Sequence, residues 1–224
     1  MAFWASGRRF LKYRHIRLSK RIVILCEGET DVLAVKHFIR RQWENDGLKS
    51  IGLHADNLQA KLEDVFVKVP LYLKNPKVIA VFTLIDLHKM NRVIHSPCSS
   101  IEDKIQKARD WLKNQFSHDL FKKFFPHLSV HEVEAWILAE GVSLQERLKS
   151  SIPIENNAEE IDDQNPPKSR LNDLFHKCVK KEGFKEIRDG TPLFQSLDFQ
   201  AVYQRCSYFR HFYDELKRVG MTAL

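Results

Sequence analysis

The sequence has few cysteines, and their spacing excludes two common kinds of site. The four are Cys26, Cys98, Cys178 and Cys206, and no two of them are close together in the chain. A CxxC metal site and a disulfide framework both require a closer or more regular arrangement, so we expect neither. Free thiols and the lack of a signal-peptide pattern predict a cytoplasmic protein.

Long apolar runs are also missing from the sequence. No run approaches the roughly 20 residues that a membrane-spanning helix needs, so we expect no membrane partner. Hydrophobic residues make up 43% and charged residues 29% of the 224 positions, which is typical of soluble globular proteins. This length suffices for one large domain or for a domain with an appendage.

Acidic residues are absent from the first 26 positions, which carry seven bases. The formal net charge of +7 favours polyanionic partners such as nucleic acid. We interpret residues 1–20 either as a solvated extension or as a phosphate-binding arm. The arm would use Arg8, Arg9, Lys12 and Arg14.

Residues 21–31, R-I-V-I-L-C-E-G-E-T-D, predict a buried strand, a tight turn and the start of a helix. The apolar run ends at Glu27, and Thr30 or Asp31 can cap the helix that follows. Open α/β sheets place their functional groups at the carboxyl ends of strands. Glu27 is therefore the first candidate for a site residue.

Two later segments also place acids at strand ends. Residues 78–86, V-I-A-V-F-T-L-I-D, are apolar on both faces, which is typical of a central parallel strand, and they end at Asp86. Residues 124–140 predict a short strand that runs into a helix and contain His131, Glu132 and Glu134. The pattern does not determine which glutamate points towards the other acids.

The remaining segments complete an α/β prediction with three parts. Helices are predicted over residues 56–74, from Ser99 or Ser100, over 169–181 and over 198–219, and Pro70 is expected to break the first of these. Residues 151–167 are acidic and rich in proline and asparagine. We predict a basic extension over 1–20, an α/β core over 21–148, and a linker and helical region over 149–224 that packs on the core.

Acids that meet in one crevice repel one another, so either their pKa values rise or a cation neutralises them. Oxygen ligands without sulfur suit Mg²⁺ or Mn²⁺. Each acid also has a simpler explanation: Glu27 and Asp86 as caps or salt-bridge partners, Asp31 as a helix-start acid, and His131 as a hydrogen-bonded structural residue. Convergence of these residues would favour metal-assisted phosphodiester chemistry.

Two segments resemble the signatures of the Toprim superfamily, which includes primases, topoisomerases and OLD-type nucleases. C-E-G-E-T-D at 26–31 is similar to the first signature, and F-T-L-I-D-L-H at 82–88 is similar to the second. The second signature normally ends in two aspartates, but His88 stands in place of the second one. The resemblance implies a Rossmann-like, mostly parallel sheet in which Glu27 acts as general acid/base or metal ligand.

The order of three further segments resembles a narrower, uncharacterised bacterial Toprim-like family found in mobile or defence-associated loci. The segments are H-E-V-E-A-W at 131–136, P-P-K-S-R at 166–170 and C-S-Y-F-R-H-F-Y-D-E-L at 206–216. In that family a single aspartate after the second strand is the rule. The resemblance adds Glu132 and Glu134 to the site and implies a nuclease that works beside a partner ATPase in anti-phage defence.

The sequence therefore predicts a Mg²⁺- or Mn²⁺-dependent nuclease. Glu27, Asp86 and Glu134 would bind metal, with Glu132 as an alternative ligand or catalytic group and Asp31 as a further candidate. Glu27 would be the preferred acid/base, and His131 would orient groups or shuttle protons. Lys168 and Arg170 would hold phosphate, unless they are ordinary surface bases. The alternative is a non-catalytic adaptor with a degenerate pocket that binds nucleic acid or an ATPase.

Overall fold

The computed structural model describes residues 20–94, 97–130, 132–156, 158–159, 165–179 and 182–224. Within them, the strands form one parallel sheet in the order β2-β1-β3-β4. The strands are β1 (Arg21–Cys26), β2 (Gly52–Asn57), β3 (Val78–Asp86) and β4 (Phe124–Ser129). The predicted α/β class, with a parallel sheet flanked by helices, is confirmed.

The two central strands are buried on both faces, as their uninterrupted apolar sequences predict. In β1, Ile22 and Ile24 face one side of the sheet, while Val23 and Leu25 face the other. Parallel neighbours need crossover connections, and these carry the helices that cover the sheet. Because every strand runs in the same direction, all the carboxyl ends lie at one edge.

The helices follow the strands in chain order. The first is a continuous helical stretch made of α1 (Glu29–Leu33), a π-helical segment (Ala34–Ile39) and α2 (Arg40–Asn45). The others are α3 (Asp64–Leu73), a 3-10 segment (Leu87–Arg92), α4 (Ile101–Asn114), α5 (His118–Phe121), α6 (Glu134–Glu140), α7 (Val142–Leu148), α8 (Pro167–Cys178), a π-helical turn (Glu186–Gly190), α9 (Thr191–Ser196), α10 (Phe199–Arg205) and α11 (Ser207–Ala223).

Helices cover the two faces of the sheet unequally. Val65 and Val69 of α3, with Ala108 and Leu112 of α4, belong to the apolar cluster on one face. The cluster on the other face contains side chains of α1, α2, α6 and the later helices down to α11. Phe209 and Phe212 of α11 are buried there.

The predicted helix over residues 56–74 is wrong in its first half. β2 continues to Asn57, the next residue, Leu58, donates its N–H to the Cys26 carbonyl, and α3 begins only at Asp64. The burial of Leu58 therefore comes from its position beside β1, although its spacing to Val65 imitates a helix. Pro70 was expected to break the pattern, but it lies inside α3.

The predicted helix over 198–219 is two helices separated at Cys206. Cys206 has extended backbone angles, with φ −113° and ψ 97°. Beyond it, the Glu159 carboxylate accepts the N–H groups of Tyr208 and Phe209 at 2.9 and 3.1 Å. These bonds satisfy N–H groups of the first turn of α11, so a new helix starts where the sequence pattern is continuous.

No helix in the described residues is both long enough and apolar enough to cross a membrane. The division of the chain at residue 148 stays a prediction, as does a cytoplasmic location. Residues 1–19, which include Arg8, Arg9, Lys12 and Arg14, lie outside the described residues, so the proposed phosphate-binding arm also stays a prediction.

Candidate active site

Glu27 and Asp86 lie at the ends of neighbouring strands and contact each other. The Glu27 N–H donates to the Leu84 carbonyl at 3.2 Å, which extends the β1–β3 pairing by one residue. One carboxylate oxygen of Glu27 accepts the backbone N–H of Asp86 at 3.0 Å. The Asp86 carboxylate in turn accepts the His88 N–H at 2.8 Å and caps the 3-10 segment.

The acids that follow β4 lie at the same edge of the sheet. Glu132 precedes α6, and Glu134 is its first residue, with 2% of its surface exposed. Both glutamates line one cleft together with Glu27 and Asp86. The convergence that the sequence left open is therefore present for both residues, whereas His131 lies outside the described residues.

The start of α1 adds Asp31 to this cleft. The backbone N–H of Gly28 donates to the Asp31 carboxylate at 2.8 Å. Gly28 is the N-cap residue, so the prediction that Thr30 or Asp31 occupies that position is wrong. Asp31 instead bonds backward from the first turn, as the acid of a capping box does, and its carboxylate is held beside the strand ends.

The cleft has a volume of about 120 Å³ and is strongly acidic. Among the described residues that line it, seven are acids and one, Lys168, is a base. The described residues that line it are Glu27, Gly28, Glu29, Thr30, Asp31, Asp86, Ser129, Glu132, Glu134, Lys168 and Glu186. This excess of negative charge in a partly desolvated space favours either proton uptake or cation binding.

Burial and mutual repulsion raise the pKa of several of these carboxyls. Burial, reinforced by the charges of Glu132 and Asp31, raises the pKa of Glu134 to about 8. Burial also raises the pKa of Asp31 to about 7, with help from Glu27 and Asp86 and against the Gly28 hydrogen bond. Burial also raises the pKa of Glu27, although the Asp86 N–H and Lys89 oppose the rise.

Two lysines face the acids. The Lys89 ammonium lies 3.6 Å from a Glu27 carboxylate oxygen. The Lys168 ammonium forms an ion pair with Glu186, and the Lys168 backbone N–H donates to Glu132 at 3.2 Å. Burial lowers the pKa of Lys168, but Glu186, Glu134 and Glu132 outweigh it, so the pKa lies above its usual value.

Arg170 does not line the cleft. It lies two residues after Lys168 on α8, and its guanidinium forms an ion pair with Glu155. Of the two predicted phosphate-holding bases on α8, the structure thus brings only Lys168 to the acids. The site therefore contains one base from this segment and several acids from the strand ends.

The donor set is made of carboxylate oxygens, which suit a hard divalent cation. In the described part of the chain, no three His, Cys, Asp or Glu side chains are already arranged to hold a metal ion. The acids are instead engaged with backbone N–H groups and lysines, as the contacts of Glu27, Asp31 and Asp86 show. A cation would have to compete with these contacts.

Neither Glu186 nor Lys89 was predicted as a site residue. Glu186 lies in a π-helical turn, and the buried Asp189 anchors that turn by accepting the Lys185 N–H at 2.9 Å and pairing with Arg147 of α7. Contacts between segments so distant in the chain leave no local pattern. Lys89 had a usable signal, because it lies only three residues beyond Asp86.

A family model described as a domain of unknown function, DUF4276, matches residues 26–217. The chain belongs to this family. The DUF4276 match starts one residue before Glu27 and extends through most of α11, so it includes every described acid of the cleft. No curated protein sequence matches the chain.

Solved structures similar to this DUF4276 protein include the C-terminal region of the OLD protein from Xanthomonas campestris pv. campestris. The structure phased with platinum has 15% identity and a TM-score of 0.41, covering 89% of this chain and 96% of that one. The structure phased with mercury has 14% identity and a TM-score of 0.37, covering 90% and 100%.

Proposed function

We propose that the protein is a Mg²⁺- or Mn²⁺-dependent nuclease that hydrolyses phosphodiester bonds in nucleic acid. The observation that carries this proposal is the convergence of Glu27, Asp86, Glu132 and Glu134 on one cleft. These acids come from the ends of three parallel strands, which is where open α/β sheets bind their ligands. The Toprim-like signatures around Glu27 and Asp86 support the same chemistry.

The cleft residues fit a hard divalent cation. Glu27, Asp86 and Glu134 would hold it, with Glu132 as an alternative ligand and Asp31 as a further candidate. Burial, reinforced by the neighbouring carboxylates, raises the pKa values of Asp31 and Glu134, and a bound cation would oppose both effects. When bound, such an ion polarises a phosphoryl oxygen and lowers the pKa of water.

The protein's own groups supply the other functions. Burial raises the pKa of Glu27, and a raised carboxyl pKa lies closer to the pH at which a general acid/base works. Lys168, a base that lines the cleft, would hold a phosphate of the substrate. His131 would orient groups or shuttle a proton. We also propose that the protein associates with a partner ATPase and acts in anti-phage defence. Both proposals rest on the family resemblance alone.

The direct test is cleavage of plasmid, single-stranded DNA and tRNA with Mg²⁺, with Mn²⁺ and with EDTA. We expect cleavage with a divalent cation and none with EDTA. Glu27→Gln and Asp86→Asn should remove it, while Glu44→Gln, a change at an exposed acid of α2, should not. Activity that survives both cleft substitutions would refute the site assignment.

A non-catalytic adaptor is the second candidate. His88 in place of the second aspartate favours it, and so does the lack of a pre-arranged metal-binding group in the described residues. Isothermal titration with Mn²⁺ separates the two functions. Binding at or below micromolar concentrations, lost in Asp86→Asn, supports the nuclease, whereas no binding below millimolar concentrations supports the adaptor.

A further inference from the structure

Basic residues precede every strand of the sheet, at the edge opposite the acidic cleft. Lys20 and Arg21 begin β1, Lys49 precedes β2, Lys77 precedes β3, and Lys122 with Lys123 precedes β4. Lys74, in the turn before β3, adds a further positive charge. We call this set the strand-start edge.

Backbone hydrogen bonds place these bases on adjacent strands. The Lys20 carbonyl accepts the Gly52 N–H at 2.9 Å, and the Lys77 carbonyl accepts the Arg21 N–H at 2.8 Å. The Lys123 carbonyl accepts the Val81 N–H at 2.9 Å. Neighbouring strands lie about 4.8 Å apart, so the bases form a row across the sheet.

Internal partners do not explain most of this row. Lys49, Lys74, Lys77, Lys122 and Lys123 form no side-chain ion pair or hydrogen bond with any described residue. These charges are therefore available to bind an anionic partner.

A cavity of about 250 Å³ lies at one end of the strand-start edge, between β4 and α11. Lys122 and Arg218 contribute charge to its lining, and Phe125 contributes an aromatic ring. Phe125 is partly exposed and stacks on Phe82, with ring centroids 4.8 Å apart and planes at 15°. A second flat ring can extend such a stack, because nucleobases stack on exposed aromatic side chains.

We infer that the strand-start edge is a binding surface for single-stranded nucleic acid, distinct from the acidic cleft. Its lysines contact successive phosphates, and the Phe125 cavity takes one unstacked base. β1 has six residues, so its length separates the edge from the cleft by about 20 Å. This inference concerns binding and does not depend on the cleft being catalytic.

The test is fluorescence anisotropy of the full chain with a labelled 20-nucleotide single strand and the matching duplex, in EDTA. A variant carrying Lys77→Gln, Lys122→Gln and Lys123→Gln should lose about tenfold or more in single-strand affinity near 0.1 M salt. Its slope of log affinity against log salt should become shallower by about 2. The matched control carries Lys36→Gln, Lys104→Gln and Lys177→Gln, which change the net charge equally on α-helical or π-helical segments away from the edge.

Phe125→Leu tests the cavity separately, because it preserves an apolar side chain. It should weaken single-strand binding roughly fivefold or more and leave duplex binding unchanged.

Equal losses in the edge variant and the matched control would overturn the inference. So would an edge variant that binds the single strand normally but fails to bind phosphatidylserine vesicles, since that result would identify a membrane surface. Circular dichroism confirms that each variant is folded.

Discussion

The backbone N–H of Asp86 donates a hydrogen bond to the Glu27 carboxylate at 3.0 Å. This bond joins the ends of β1 and β3 and fixes the position of one Glu27 oxygen. The other oxygen faces the Lys89 ammonium at 3.6 Å. The residue proposed as the acid/base is thus oriented by its neighbours before any substrate binds.

Glu27→Gln should abolish nuclease activity with little effect on stability. The amide oxygen can still accept the Asp86 N–H, so the strand ends stay joined, but the group that ionises is lost. We expect a rate loss of about 10²-fold or more, the usual contribution of an acid/base group, with a melting temperature near that of the wild type. The measurements are single-turnover cleavage and thermal denaturation. A large drop in melting temperature would instead indicate a structural role.

Mn²⁺ binding at neutral pH should release protons. The pKa of Asp31 is about 7 and that of Glu134 about 8, so both hold protons part of the time at pH 7. A cation that binds the carboxylates displaces these protons, and we expect roughly one to two per ion. Calorimetry at pH 7 in buffers of different ionisation enthalpy measures the number. Binding without proton release would place the cation away from these two residues.

Glu186→Gln and Lys168→Gln should shift substrate affinity in opposite directions. The Glu186 carboxylate pairs with the Lys168 ammonium, so it competes with a phosphate for the same charge. Glu186→Gln should lower KM severalfold with kcat nearly unchanged, whereas Lys168→Gln should raise KM. Steady-state kinetics with a single-stranded substrate gives both values. A parallel change of KM in the two variants would show that Lys168 does not hold the substrate.

Glu159 should make the stability of the protein depend on pH between about 4.5 and 7. Burial raises its pKa to about 7, against the two N–H donors from α11. The folded state therefore holds the proton more tightly than the unfolded state, whose carboxyl has a pKa near 4.5. This stabilisation is complete below the unfolded pKa and is lost as the pH rises through the folded pKa.

Glu159→Gln isolates that effect, because glutamine cannot ionise. The melting temperature of the variant relative to wild type should increase from pH 5 to pH 8, by an amount equivalent to roughly 3 kcal/mol. Glu146→Gln, which changes an exposed acid of α7, serves as the control. A difference between variant and wild type that is constant with pH would exclude Glu159 as the titrating group.

Gly220→Ala should destabilise the protein, although alanine favours helices. A Cβ atom at Gly220 would lie 2.2 Å from the Trp43 ring. Trp43 is buried and donates its indole N–H to the Ile51 carbonyl at 2.9 Å, so it has little room to move. We expect a loss of about 1–3 kcal/mol in the free energy of unfolding, measured by urea denaturation. Met221→Ala, at an exposed neighbour, should stay within about 0.5 kcal/mol of wild type.

The buried strands and their terminal acids were predictable because their signals are local. β3 has the predicted bounds, Val78–Asp86. Its uninterrupted apolar run is typical of a strand that is covered on both faces, because side chains on both faces are then buried. β2 was harder to place. It is an edge strand with polar residues at His54, Asp56 and Asn57, and its last two residues were attributed to a helix.

The rest of the site depends on contacts between distant segments. Lys168 was predicted from its motif, but its partner Glu186 was not, because the position of Glu186 depends on Asp189 and Arg147. Glu132 and Glu134 were both candidates, and the start of α6 at Glu134 brings both to the cleft. A one-dimensional pattern contains no information about such distant pairs.

The parallel sheet carries lysines and arginines where its strands begin and carboxylates at or just beyond the point where several of them end. Within the described residues, the sheet is therefore basic at one edge and acidic at the other, so the basic edge attracts a polyanion and the acidic edge repels it. Nucleic acid would then meet the basic strand-start edge first. To touch both ends at once, a nucleic-acid strand would have to span about 20 Å. Fragments too short to span this distance would contact one end only. The length of the final cleavage products would therefore reflect the distance between the two ends of the sheet.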